Sequence, residues 1–147
     1  MISIYQDSKG FLWVGTLGGG LNRFNPEDET FQHFTNQTFD PFSITDNRVW
    51  SIFEDSFGDL WIGTSAGLNQ FNYATEEFSH FKHNPMDSTS LSHNTVLTII
   101  QDDNGEIWLG TYGGGLSAFD KSAGTFINYG EKHGLPNNSV YGLSLIH

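Results

Sequence analysis

Short apolar runs bounded by Gly, Asp and Asn recur along the whole chain. In the middle third they are Val49–Glu54, Leu60–Thr64, Leu68–Asn72 and Glu77–Lys82, and their length and boundaries read as strands separated by turns. Apolar side chains fall on both faces of Val49-Trp50-Ser51-Ile52-Phe53. A strand needs that pattern when its sheet is packed on both sides, as in a stack of sheets.

The same four-run unit occurs three times. Leu12-Trp13-Val14-Gly15-Thr16 returns as Leu60-Trp61-Ile62-Gly63-Thr64 and as Ile107-Trp108-Leu109-Gly110-Thr111, with the Trp residues 48 and 47 positions apart. An Asp-x-x-Gly segment precedes each block: Asp7–Gly10, Asp55–Gly58 and Asp102–Gly105. This suits a hairpin turn, because Gly accepts positive φ and the Asp carboxylate can bond the turn backbone. Four strands repeating every ~40–50 residues point to propeller blades. The expected fold is all-β, with four-stranded antiparallel blades at 1–48, 49–95 and 96–139. Residues 140–147 are expected to begin a fourth repeat or to supply a strand that closes a seam. A single twelve-stranded sandwich is the rival; it would not require three near-identical units.

Composition narrows the partners. The 147 residues include 13 Phe, 5 Tyr and 4 Trp and only 16% charged residues, which excludes a disordered chain. Six Lys and Arg stand against 17 Asp and Glu, a net charge of −11. Nucleic acid and anionic membrane surfaces, which bind through basic residues, are not expected partners. Without Cys there is no disulfide, zinc–thiolate site or thiol nucleophile. No apolar run approaches the ~18 residues of a membrane span, and the N-terminus lacks the pattern of a signal peptide.

Candidate chemistry is thin once the repeat is taken into account. His33 and His80 share one outer-strand position, which the third copy fills with Asn128, so blade packing explains them better than metal ligation. Asp7, Asp55 and Asp102 are repeat positions with a turn role, and calcium would need more oxygen ligands per site. The runs Gly18–Gly20 and Gly113–Gly115 lack the following helix and the Lys of a phosphate loop. No catalytic set, metal site or cofactor is expected. The remaining candidates lie on the face where loops between blades meet loops between second and third strands, and above all where the copies differ. These ligand-binding candidates are Asn47, Arg48, Trp50, Asn94, Tyr112, Asn138 and Tyr141. Aromatic rings beside Asn, Asp and Arg suit sugar stacking and hydroxyl bonding, although packing also accounts for Trp50 and Tyr141.

The string Asp-x-x-Gly-x-Leu-Trp-Ile-Gly-Thr with its following Gly-Leu, and the loops Ser43–Asn47, Ser90–Asn94 and Gly134–Asn138 that end each unit, resemble the two-component regulator propeller repeat. The resemblance covers essentially the whole chain. It implies a non-enzymatic piece of the periplasmic or extracytoplasmic sensor region of a bacterial hybrid histidine kinase, binding an oligosaccharide or a partner. A propeller lyase or hydrolase, and a purely structural self-assembling element, are the alternatives. Three blades fall short of the usual four to eight in a ring. The sequence therefore leads us to expect closure by homo-oligomerisation, as a six-blade dimer or alternatively a nine-blade trimer.

Overall fold

The computed structural model describes residues 2–142. Twelve strands form three four-stranded antiparallel sheets, each made of strands consecutive in sequence. Blade 1 holds β1 (Ile2–Gln6), β2 (Leu12–Thr16), β3 (Leu21–Asn25) and β4 (Thr30–Phe34). Blade 2 holds β5 (Val49–Glu54), β6 (Leu60–Thr64), β7 (Gly67–Asn72) and β8 (Glu77–Phe81), and blade 3 holds β9 (Val96–Gln101), β10 (Ile107–Thr111), β11 (Leu116–Asp120) and β12 (Thr125–Tyr129). The all-β blade architecture expected from the repeat is therefore present, with one short 3-10 turn at Glu131–His133. The expectation for residues 140–147 reaches into 143–147, which lie outside the described residues.

Strands β1, β5 and β9 are the neighbouring first strands of successive blades. The apolar cores lie between sheets. Trp13 and Leu21 of blade 1 pack with Val49, Ile52, Phe71 and Phe78 of blade 2, and Trp61 and Leu68 of blade 2 pack with Val96, Ile99, Phe119 and Phe126 of blade 3. Burying a sheet on both faces explains why the strands carry apolar residues at consecutive positions. It also explains the invariant glycine of the Leu-Trp-x-Gly-Thr block. A Cβ on Gly63 would strike Ser51 Oγ and stand 2.6 Å from the Val96 carbonyl oxygen, and one on Gly110 would stand 2.8 Å from that of Val140. The next blade's first strand fits only against a bare backbone.

The Asp turns do more than close hairpins. Asp55 Oδ1 accepts the backbone N–H groups of Phe57 and Asp59, and Oδ2 accepts the Trp61 indole N–H at 2.8 Å. Asp7 serves Lys9, Phe11 and Trp13 in the same way, and Asp102 serves Asn104, Glu106 and Trp108. A buried indole needs such an acceptor, and a carboxylate spends little by accepting three N–H groups. The following blade adds a fourth donor: Tyr73 Oη to Asp7 at 2.8 Å, Lys121 Nζ to Asp55 at 3.1 Å.

Candidate functional site

Loops 35–48 and 82–95 lead from the outer strand of one blade to the first strand of the next, and residues 130–139 follow the outer strand of blade 3; they lie beside the connections 17–20, 65–66 and 112–115. The three candidate Asn residues pin these loops. Asn47, Asn94 and Asn138 accept the backbone N–H of Asn36, His83 and Glu131 through Oδ1 at 2.7, 2.7 and 2.9 Å. The carbonyls of Asn47 and Asn138 also accept N–H groups from Gly18 and Gly20 and from Gly113 and Gly115. These oxygens are already used within the protein, so the Asn residues position the rim of the face.

The other four candidates occupy that rim. Trp50 and Leu97, which share one repeat position, sit where the register of the first strand slips against the second, between Val49 and Ser51 and opposite Gly110 and Thr111. A bulge of this kind re-aims its side chain out of the regular pleat. Trp50 is half-buried and donates its indole N–H to Ser65 Oγ at 2.9 Å. Arg48 is exposed, and its guanidinium forks onto Asp46 with both contacts at 3.0 Å. That hydrogen bond, chiefly, holds the Asp46 carboxyl below the usual range. Tyr112 and Tyr141 meet edge to face with ring centres 6.0 Å apart, and they remain 51% and 68% exposed. Blade packing accounts for neither ring's outer surface.

A line of hydrogen bonds, two between backbone groups and one from a side chain, joins these groups across blades. Ser65 N–H donates to the Arg48 carbonyl at 3.2 Å, Thr95 Oγ1 reaches the Ser65 carbonyl at 3.5 Å, and Tyr112 N–H donates to the Thr95 carbonyl at 3.0 Å. The structure thus brings together Arg48 with Asp46, Trp50 with Ser65, and Tyr112 with Tyr141 on one rim. Sequence reasoning did not single out Asp46, Ser65 or Thr95. Ser65 was detectable in principle, since it shares with Leu17 and Tyr112 the variable place after the repeated Thr.

His80, His83 and His93 take part in loop architecture. His80 Nε2 bonds the Ser43 carbonyl at 2.7 Å, and Asn128 Nδ2 donates to the equivalent Ser90 carbonyl at 2.9 Å. This common donor role explains why His and Asn interchange at that position. His83 Nδ1 meets the Leu91 carbonyl, and His93 Nδ1 accepts the Thr95 N–H. Among the described residues no group of three or more His, Asp and Glu could hold a metal ion. No helix there is long and apolar enough to cross a membrane. Concavities of about 400, 500 and 660 Å³ lie along blade 3; the second reaches Asp55 and Phe57 of blade 2, and the third reaches Gly114 and Asn138 on the loop face.

Comparison with known proteins agrees with the geometry. The family model of the two-component regulator propeller matches residues 1–18, 43–66 and 90–113. A curated histidine kinase, P4, of Formosa agariphila is 41% identical over 62 residues, 42% of this chain and 4% of that protein. The extracellular domain of a putative hybrid two-component system from B. thetaiotaomicron superimposes with a TM-score of 0.86 at 33% identity, over 96% of this chain and 20% of that one. The extracellular domain of a putative one-component system from the same organism gives 0.78 at 29% identity, over 93% and 20%. The chain spans about a fifth of the length of these structural relatives. Its three sheets thus carry the two-component regulator propeller repeat, in sequence and in fold.

Proposed function

We propose that the chain forms part of an extracytoplasmic sensor propeller whose loop face binds a short neutral oligosaccharide, without catalysing a reaction. The observation that carries this reading is the exposed Tyr112–Tyr141 pair, with Trp50 and Ser65 along the same rim. Flat rings beside hydroxyl and amide groups suit the apolar faces and hydroxyls of a sugar. Charge supports a neutral ligand: the chain carries −11, and Arg48, the cation that precedes the first strand of blade 2, is paired with Asp46. An acidic polysaccharide would meet the net repulsion of this charge. The extracellular placement of the structural relatives supports the compartment.

A thermal-shift screen of the full chain against neutral and uronic-acid oligosaccharides tests the proposal. The expected result is a rise in Tm with a neutral glycan that Tyr112→Ala abolishes, since a ligand bound only to the native state stabilises it by mass action. No shift with any glycan, or a shift that Tyr112→Ala leaves intact, contradicts it.

A further inference from the structure

The two inter-blade seams share a frame but differ in their polar contacts, and the differences compensate within each seam. At the first seam, Lys9 of blade 1 lies 3.9 Å over the Tyr73 ring of blade 2, Tyr73 Oη donates to Asp7, and Arg23 pairs with Glu76. At the second, the aromatic and cationic partners exchange sides. Lys121 of blade 3 lies 4.6 Å over the Phe57 ring of blade 2 and pairs with both Asp55 and Asp59, while Gln70 and Gly124 replace Arg23 and Glu76. The decisive place is two residues after the Phe of the third strand: Pro26, Tyr73 or Lys121. Its side chain must satisfy the Asp of the preceding blade.

Blade 3 presents the same frame uncovered. Trp108 is half-buried, whereas Trp13 and Trp61 are fully buried under the next blade, and Leu135 is half-buried where Ile44 and Leu91 are fully buried. An apolar concavity of about 400 Å³ lined by Trp108, Leu116, Tyr129 and Leu135 marks the place. Asp102 accepts the Trp108 indole N–H, and Glu106 holds the repeat position of Asp59. Val140 already packs on Gly110 as Val96 packs on Gly63.

We infer that this face is made for one kind of partner: a propeller blade that places Lys or Arg two residues after the Phe of its third strand, against Asp102 and Glu106. Two carboxylates and an uncovered indole ask for a cation and the Phe–Phe pair that Phe119 and Phe126 supply at the second seam. A second copy of this chain in head-to-tail closure is the wrong occupant. By repeat equivalence its Pro26 would face Asp102 and Glu106, and its Glu29 would face Ala118 where Glu76 faces Arg23. The stretch Glu27-Asp28-Glu29 would enter an acidic seam that lacks the cations of the two existing ones. The homodimer expected from the blade count is therefore not the arrangement proposed.

Duplicating blade 3 in place tests this: residues 1–139 followed by 96–147, with a companion carrying Lys121→Pro in the inserted copy. Hydrogen exchange of the first Trp108 indole N–H reads coverage of the face, and sedimentation of the unmodified chain reads self-association. The inference expects exchange to slow at least about tenfold more with Lys than with Pro, a difference of ~1.4 kcal/mol, and a monomeric parent chain. Equal protection with Lys and Pro, no protection with either, or a stable closed dimer of the parent chain would overturn it.

Discussion

Asp55 shows how one side chain ties local turn to inter-blade core. Burial pushes its pKa up, but the Trp61 indole, the Asp59 and Phe57 N–H groups and the Lys121 ammonium together hold it below the ordinary value. A carboxyl depressed in the folded state contributes stability that is complete above its unfolded pKa of about 3.9 and is lost as pH falls through the folded value. Urea midpoints should therefore owe no pH dependence to this group from neutrality down to about pH 5 and should fall below about pH 4. Asp55→Asn should cost about 2–4 kcal/mol at pH 7, because the amide turns an N–H toward donors and leaves Lys121 with Asp59 as its one remaining carboxylate partner. A loss under ~0.5 kcal/mol would contradict this account of the turn. Gly63→Ala should cost at least about 1–3 kcal/mol, because the added methyl meets the Val96 carbonyl of the next blade, a contact that repacking of side chains does not relieve. Both residues stand out in the sequence as repeat positions. The partner of Asp55 in the following blade, Lys121, does not, because no local pattern encodes a bond spanning 66 residues.

At the scale of elements, the strands were legible in detail. The middle blade begins its third strand one residue earlier than the apolar pattern indicates, at Gly67, and ends its fourth one earlier, at Phe81. Gly67 has φ of 126° and joins the ladder opposite Thr64, which an apolar count does not register. The loops were less legible, since their order comes from side chains capping backbone groups far along the chain. His80 and Asn128 illustrate the rule. His80→Asn should change stability by less than ~0.5 kcal/mol, because Asn128 performs the same bond in blade 3, whereas His80→Leu should cost about 1–2 kcal/mol by orphaning the Ser43 carbonyl. Equal losses in the two variants, measured by denaturant unfolding, would remove this explanation of the interchange. Tyr73→Phe should cost about 1 kcal/mol, since Asp7 keeps its other three donors.

For the whole molecule, two scales of evidence meet on the loop face. The repeat accounts for the residues that the three copies share, and the rim gathers those that they do not. Of the seven candidates read from the sequence, Asn47, Asn94 and Asn138 hold the loops, while Arg48, Trp50, Tyr112 and Tyr141 form the rim. The sequence could not separate these groups, because both lie at the same ends of the blades and only hydrogen-bond geometry divides them. The chain is a fifth of its structural relatives in length, so its rim would be one arc of a longer face. Aromatic-ring NMR of the full chain during titration with the neutral oligosaccharides tests the proposed function most directly. The account predicts shifts at Tyr112, Tyr141 and Trp50 with the buried Trp13 and Trp61 unmoved. Rings that stay unperturbed with every glycan, or shifts centred on Trp108 instead, would contradict it.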